Sequence, residues 1–589
     1  MMRRVNFLLI LLLCTAVDSM CQESSVIKAI CNLTGMTMEE IDPLEAEKLE
    51  DISSSPLHIS SMSVSELKET GIFTHYQAVS LKDYILRHGA VMSVAELAMV
   101  DGFGEGFALR LSPFISFDNE SCLANPYLAS EDFHTDIALR SGIRLREKQE
   151  TPEVNYGMRC KMSSNKRFEG GLAVNRSYSS ESMKPDALSG NLVWHPDCLD
   201  GQIVIGDFNA RFGQGLALWN GMSIGGTLSP DTFLRRTSGI SPSSSFTGNY
   251  SFHGIAGDVT FRSLAISSML AACRKDNAVV VTPGFNLTWL GKQGQIALTH
   301  YADISGMMQD IGIPDMKSSI DFACCLSGID AFGELAYDWV FNTVAFIVGT
   351  TFPAGERFRA AYMLRYYPSR YSSSKSSAAR SGTKCSNEYG ASMSVAFKQN
   401  GNVSVDGKLG IDASYYPISK VLGNKSVQIK FDTSWEFKPM DTFSCSLRLT
   451  ERIRSWGNPF RSELRIDLDY TPGEYLLSMR LDALMCVKPS ALAYIEGGYL
   501  AKKLRLYFRQ GFFHVDNWDD RIYSYERDLP GSFSVPAYYG RGLWTALNMS
   551  WHIADWIKLY IRAAVTDYVL MKEFKPGKAE LELQFVFDF

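Results

Sequence analysis

The last eleven residues of the chain alternate strictly in character. Ala579, Leu581, Leu583, Phe585, Phe587 and Phe589 fall on one side; Glu580, Glu582, Gln584, Val586 and Asp588 fall on the other. A period of two predicts a β-strand with one apolar and one polar face, and this length suits a tilted strand that crosses a bilayer. Ser462, Leu464, Ile466, Leu468 and Tyr470 alternate with Arg461, Glu463, Arg465, Asp467 and Asp469 in the same way. So do Val427, Ile429, Phe431 and Trp435 with Gln428, Lys430, Asp432 and Ser434, and Leu504, Leu506 and Phe508 with Arg505, Tyr507 and Arg509. The pattern starts near residue 132 and persists through about 22 to 24 segments, many well beyond the roughly 5–6 residues of a globular strand. A soluble sandwich also alternates, but with shorter and fewer strands.

Connection lengths predict a topology. Counted back from Phe589, the gaps alternate between long (569–578, 516–539, 369–388, 304–318) and short (554–556, near Lys502, 471–474, 400–402, 353–355). Outer-membrane barrels have short periplasmic turns and longer outer loops. That parity sets the first strand, near Phe133 to Arg146, rising from the periplasm. Before the strands, residues 22–117 carry a helical pattern. Glu39–Asp51 is charged and amphipathic, and Ser65–Leu67, Tyr76–Leu86 and Ser93–Met99 follow, broken at Gly71, Gly89 and Gly102. Ser63 and Ser93 each precede a Glu by three residues, the spacing of a capping box. The fold expected is α+β and multidomain: a small all-α domain followed by a large antiparallel transmembrane β-barrel. The helical domain is expected on the periplasmic side.

Composition sharpens this picture. Aromatics make up 12% of the 589 residues, which suits interfacial girdles, and the net charge of −6 gives no general pull toward nucleic acid. Arg3 and Arg4 followed by the apolar run Phe7–Leu13 predict a signal peptide over 1–21, with Cys21 as an alternative lipidation site. The domains expected are therefore 1–21, 22–120 and 121–589. No CxxC pair, no His at metal spacing, no GxSxG, HExxH or P-loop occurs, so no catalytic residue, metal or cofactor is expected.

Gly89-Ala90-Val91-Met92-Ser93-Val94-Ala95-Glu96-Leu97, then Val100-Asp101-Gly102-Phe103-Gly104, then Leu111-Ser112-Pro113-Phe114-Ile115 resemble a tandem helix-hairpin-helix unit of the ComEA type. The first hairpin, Thr70-Gly71-Ile72-Phe73, departs from the pattern because Phe73 replaces the second glycine. The resemblance implies that Gly71, Gly102, Phe103 and Gly104 could approach a phosphate, and hence DNA as a partner. Charge opposes this: residues 57–117 hold four basic and six acidic side chains, whereas affinity for DNA comes mainly from Lys and Arg. The whole chain resembles Bacteroidetes-type proteins that join such a domain to a barrel, on Gly206-Asp207, Phe212-Gly213-Gln214-Gly215-Leu216, Trp219 and Tyr523-Ser524-Tyr525-Glu526. That likeness implies an envelope location and no defined activity.

Two long outer connections hold the candidate contact residues. Residues 211–250 carry Arg211, Gln214, Trp219, Arg235 and Arg236, and could fold into the lumen or remain a surface loop. Residues 516–539 carry Tyr523, Tyr525 and Glu526. The ending in Phe585, Phe587 and Phe589 resembles the signal read by the barrel-insertion machinery of Gram-negative bacteria. The partners expected are outer-membrane lipid, that machinery and a periplasmic protein. Three functions follow: a conduit with an accessory module, a DNA-handling envelope protein, or an assembly component that recruits a periplasmic partner.

Overall fold

The computed structural model describes residues 26–117 and 133–589, except 148, 165–166, 197–199, 222–227, 247–250, 276–277, 306–314, 356, 400, 402, 422 and 570–575. The expected signal segment 1–21 lies outside the described residues.

From Phe133 onward the alternating segments form one antiparallel sheet of 26 strands. Two are short side pieces, Gly239–Pro242 and Ile304–Ser305. The other 24 form the wall of a barrel, numbered β1–β24 in chain order. Strand β1 (Phe133–Arg146) pairs with β24 (Lys578–Asp588), with Ile137 opposite Phe587 and Arg144 opposite Glu580. This closure leaves the wall no unpaired edge.

The wall is inverted relative to a soluble protein. On β24 Gln584 is 0% exposed and Leu581 is 48% exposed; on β18 (Phe460–Tyr470) Arg465 is buried and Leu464 exposed. Polar residues face inward and apolar residues face out, which is stable only against lipid. All turns at the rim bearing Phe133 and Asp588 are two to five residues long. The connections 212–251, 368–387 and 516–539 leave the opposite rim.

Six helices precede the barrel among the described residues: α1 (Val26–Thr34), α2 (Pro43–Ser54), α3 (Val64–Glu69), α4 (His75–His88), α5 (Val94–Ala98) and α6 (Gly104–Leu111). The charged run expected as a helix from Glu39 begins at Pro43, since proline fits only the first turn of a helix. Ser63 and Glu66 form the expected capping box. Ser93 caps α5, but the Glu96 carboxylate accepts from Met92 N instead. Thr74 and Gln77 form a second full box on α4. Ile30, Leu67, Leu81, Leu97 and Leu111 converge on a single core.

The placement of this domain is more specific than the expected periplasmic side: from the tight-turn rim its helices extend into the barrel. Lys28 meets Asp469 at 3.0 Å, and Ser65 meets Asp200 and Thr260 at 3.2 and 3.0 Å, all beside the tight-turn rim. Glu40 meets Arg448 at 2.5 Å, midway along β17 (Phe443–Arg454). The domain thus enters through the tight-turn mouth and reaches the middle of the lumen. Part of it, including Leu86, Met99 and Leu109, remains exposed.

Leu464→Arg, at mid-strand on the lipid face, should destabilise the barrel by about 2–4 kcal/mol, whereas Phe460→Arg at the strand end should cost about 0–1 kcal/mol. Urea unfolding in lipid vesicles measures both, and equal effects would contradict the assigned lipid face.

Candidate functional site

The site is the filled lumen, and its chemistry begins with the acidic helical segment 39–51. Glu39 lies 2.7 Å from Arg480 and 3.3 Å from Arg465. Asp42 meets Arg211 at 3.3 Å, Glu47 meets Arg159 at 2.6 Å, and Asp51 meets Lys161 at 2.6 Å. The wall supplies these cations from inward positions, where period two places them. The same arginines also tie neighbouring strands: Arg465 to Asp482 at 3.0 Å, Arg480 to Asp467 at 2.5 Å. Further round, Arg509 joins Glu496 at 2.7 Å and Arg562 joins Glu580 at 3.2 Å. Arginine suits this role because its fork serves two carboxylates at once.

Burial opposes ionisation of Glu39 and Glu40, but the facing guanidiniums prevail, whereas at Glu47 burial outweighs Arg159 and the carboxyl is pushed up. The carboxyl of Glu39 is held well below the usual range by Arg465 and Arg480, and that of Glu40 is held at about 2 by Arg448. Glu50 has no such partner. Burial, with Asp51 and Glu47 beside it, pushes its carboxyl up to about 8.

The long loops fold inward onto the helical domain. In Phe212-Gly213-Gln214-Gly215-Leu216, Glu334 accepts backbone N–H bonds from Gln214, Leu216 and Ala217 at 2.8–2.9 Å. Gly213 and Gly215 have φ of 58° and 81°. A Cβ on Gly213 would stand 2.8 Å from the Glu334 carboxylate, and one on Gly215 2.5 Å from Arg235. The glycines therefore form a nest of N–H groups around one carboxylate. Arg211 and Arg235 lie over the Trp219 ring at 5.7 and 4.2 Å, and Arg235 donates to Ser377 O at 2.6 Å. Arg236 lies over Phe107 of α6 at 5.3 Å. Arg211, Gln214, Trp219, Arg235 and Arg236 thus come together against α2 and α6.

The 516–539 connection does the same from the other side. Tyr525 donates its backbone N–H to Glu39 at 3.1 Å and its ring joins the helical core. Glu526 binds Arg562 at 2.8 Å. Tyr523 stands apart, exposed, and accepts a bond from Arg521 at 2.8 Å.

The hairpin glycines serve backbone geometry. Gly71, Gly102 and Gly104 have φ of 73°, 86° and 65°. A Cβ on Gly102 would meet the Tyr76 ring at 2.8 Å. Phe103 is buried, with its ring 6.0 Å from Phe73, so the residue that replaces the second hairpin glycine is a core partner. Phe585, Phe587 and Phe589 stack at 6.3 Å intervals beside Trp556, near the tight-turn rim.

Of the docking pairs, only Arg211 was among the candidate contacts read from sequence; the acids and the other cations were not. The signal was present: acids at 39, 40, 42, 47 and 51, and arginines at inward strand positions. Nothing in the sequence pairs one set with the other. Among the described residues no group of His, Cys, Asp or Glu is arranged to hold a metal ion. Between α2, α3, the wall and the inward loop lies a cavity of about 1060 Å³, lined by Glu45, Lys48, Glu69, Arg211, Trp219, Arg235 and Arg236 among others.

No family model and no curated protein matches the chain. Among solved structures, the chain is similar to the P pilus usher (PapC) translocation pore at 9% identity and TM-score 0.38, over 77% of this chain and 99% of that one. It is also similar to the outer membrane protein opdK from Pseudomonas aeruginosa, at 10% identity and TM-score 0.29, over 78% and 99%. A third is OccK3 (OpdO) from Pseudomonas aeruginosa, at 8% identity and TM-score 0.30, over 78% and 96%. Superpositions this loose lend nothing further to the chain, whose reading rests on its own geometry.

Glu39→Gln should weaken docking of the helical domain by about 1.5–3 kcal/mol, since Arg465 and Arg480 lose a charge-assisted partner but keep Asp482 and Asp467. Protease sensitivity of the helices in the folded barrel reports it. The Glu40 carboxyl is depressed when docked, so its contribution is complete above the ordinary value of 4.5 and disappears as pH falls toward 2. Glu50 has the opposite sign: its ionisation opposes docking as pH rises from 4.5 toward 8. Glu50→Gln should therefore protect the helices from protease at pH 8 and leave protection at pH 4 unchanged; no gain at pH 8 would contradict this assignment.

Proposed function

We propose that the chain is an outer-membrane conduit held closed by its own N-terminal helical domain, which acts as a displaceable plug. The observation that carries this reading is the character of the plug–barrel interface. The helices bury their apolar residues among themselves, and among the described residues the barrel adds only Tyr525 to that core, with Phe533 and Val535 packed beside it. The wall contacts nearest the middle of the lumen are ion pairs and hydrogen bonds. A plug with its own core can leave without exposing that core, and polar contacts can be exchanged for water. A wall of this strand number encloses a lumen wider than its own side chains fill.

The exposed part of the plug faces the tight-turn side. There Leu86, Met99 and Leu109 offer apolar surface to a periplasmic protein that could draw the plug out. The helix-hairpin-helix likeness is kept as kinship of this module. DNA handling is the weaker reading, because Asp101 and Glu105 flank the exposed hairpin while acids deeper in the module are engaged by arginines. The aromatic ending on Phe589 is proposed as the mark read during insertion.

Planar-bilayer recording tests the reading. The full chain should be closed or nearly so, and a form lacking residues 26–117 should show a large, stable conductance. A truncated barrel that inserts, resists heat as a folded barrel does, and never conducts would overturn it.

A further inference from the structure

The lining of the plug-side cavity carries more acids than bases as a whole, Glu69 and Lys48 included, but at one end two arginines stand outside the ion-pair network. These are Arg235 and Arg236. Among the described residues the Arg235 guanidinium donates only to carbonyl oxygens, of Gln214 at 3.4 Å and Ser377 at 2.6 Å. Arg236 stacks on Phe107 and has no hydrogen bond or carboxylate partner among the described residues. The nearby acids are largely committed. Asp231 is shared by Arg110 at 3.1 Å and Arg359 at 3.2 Å, and Asp42 is held by Arg211. Asp231 also faces Arg236, and Glu45 faces both arginines, each outside ion-pair distance of them. At the other end of the cavity Glu47 and Asp51 are taken by Arg159 and Lys161, Glu66 caps α3, and Glu169 faces His195.

We propose that Arg235 and Arg236 form an anion-binding site in this cavity, which takes a small solute bearing a carboxylate or phosphate. A half-buried guanidinium without a carboxylate partner gains from an entering anion, which supplies both charge and acceptors. Burial, and then the neighbouring Arg211, already push the Arg235 guanidinium down to about 10. Trp219 and Phe107 fix the planes of the two guanidiniums, so their forks are oriented before a ligand arrives. The cavity is large enough for a solute of metabolite size. As the cargo or the signal of the barrel, this solute rests on the conduit reading; its binding does not.

The test is equilibrium dialysis of the full-length protein in detergent, against labelled inorganic phosphate and separately against labelled citrate. Saturable binding of at least one probe is expected, and which one binds separates phosphate from carboxylate. Arg236→Gln should weaken it about tenfold, the loss of one charge-assisted contact. Arg87→Gln, which removes only an exposed pair with Asp83 on α4, should leave it unchanged. Among the described residues Arg236 makes no hydrogen bond, so Arg236→Gln is expected to fold, and the result stands even if Arg235→Gln does not. No saturable binding of either probe, or binding indifferent to Arg236→Gln, overturns the site. Binding without conduction in the truncated barrel would overturn the conduit and leave the site standing.

Discussion

The rest of the structure depends on the match between an acidic helical segment and the inward arginines of the barrel wall. A closed sheet of this size must leave a wide polar interior. Each inward arginine then needs a carboxylate, because water in a narrow, partly filled space is a poor substitute. Neighbouring strands provide some, as Asp482 does for Arg465 and Asp467 for Arg480. The plug provides the others through Glu39, Glu40, Glu47 and Asp51. Removing the plug leaves cations facing a hole; removing the wall leaves a cluster of acids with no reason to approach one another.

The same rule explains the loops. Long outer connections fold inward where the wall or plug gives their backbone a partner. Glu334 gathers three N–H groups of the glycine nest, and Glu39 takes the N–H of Tyr525. Tyr371 donates to Leu216 O at 2.8 Å, which brings the 368–387 connection onto the same surface. The 212–251 and 368–387 connections share an apolar cluster with the wall through Leu216, Leu218, Phe233, Tyr371 and Ala378. The helical domain meets this inner surface mainly through polar contacts, with a small apolar seam around Tyr525, so under the proposed reading it leaves while the loops stay in place.

Much of the wall was legible in the sequence because its signal is local. Period two places Leu581 outside and Gln584 inside with no knowledge of any other strand, and β1 begins and ends where the alternation does, at Phe133 and Arg146. Turn lengths gave the topology by the same local route. Helix positions were legible to within about a turn, apart from α1 and α6, neither of which carries a side-chain capping signal. What could not be read was the position of the helical domain. Its acids looked like a solvated face and an argument against DNA. Their true partners, Arg448 and Arg480, lie some 400 residues away in sequence, and no periodicity relates the two sets. The Phe212–Leu216 glycines were visible as unusual, but their purpose required Glu334, which reads as one more inward polar residue.

The central claim is that specific charge pairing seats the plug, and a charge swap across Glu40 and Arg448 tests it most directly. Ion flux through the purified barrel in vesicles would be measured for Arg448→Glu alone and for Glu40→Arg together with Arg448→Glu. The single change should place two carboxylates together, unseat the plug and make the vesicles leak. The double change should restore the pair and the seal. A double variant that leaks as much as the single one, or a single variant that remains sealed, would contradict the account.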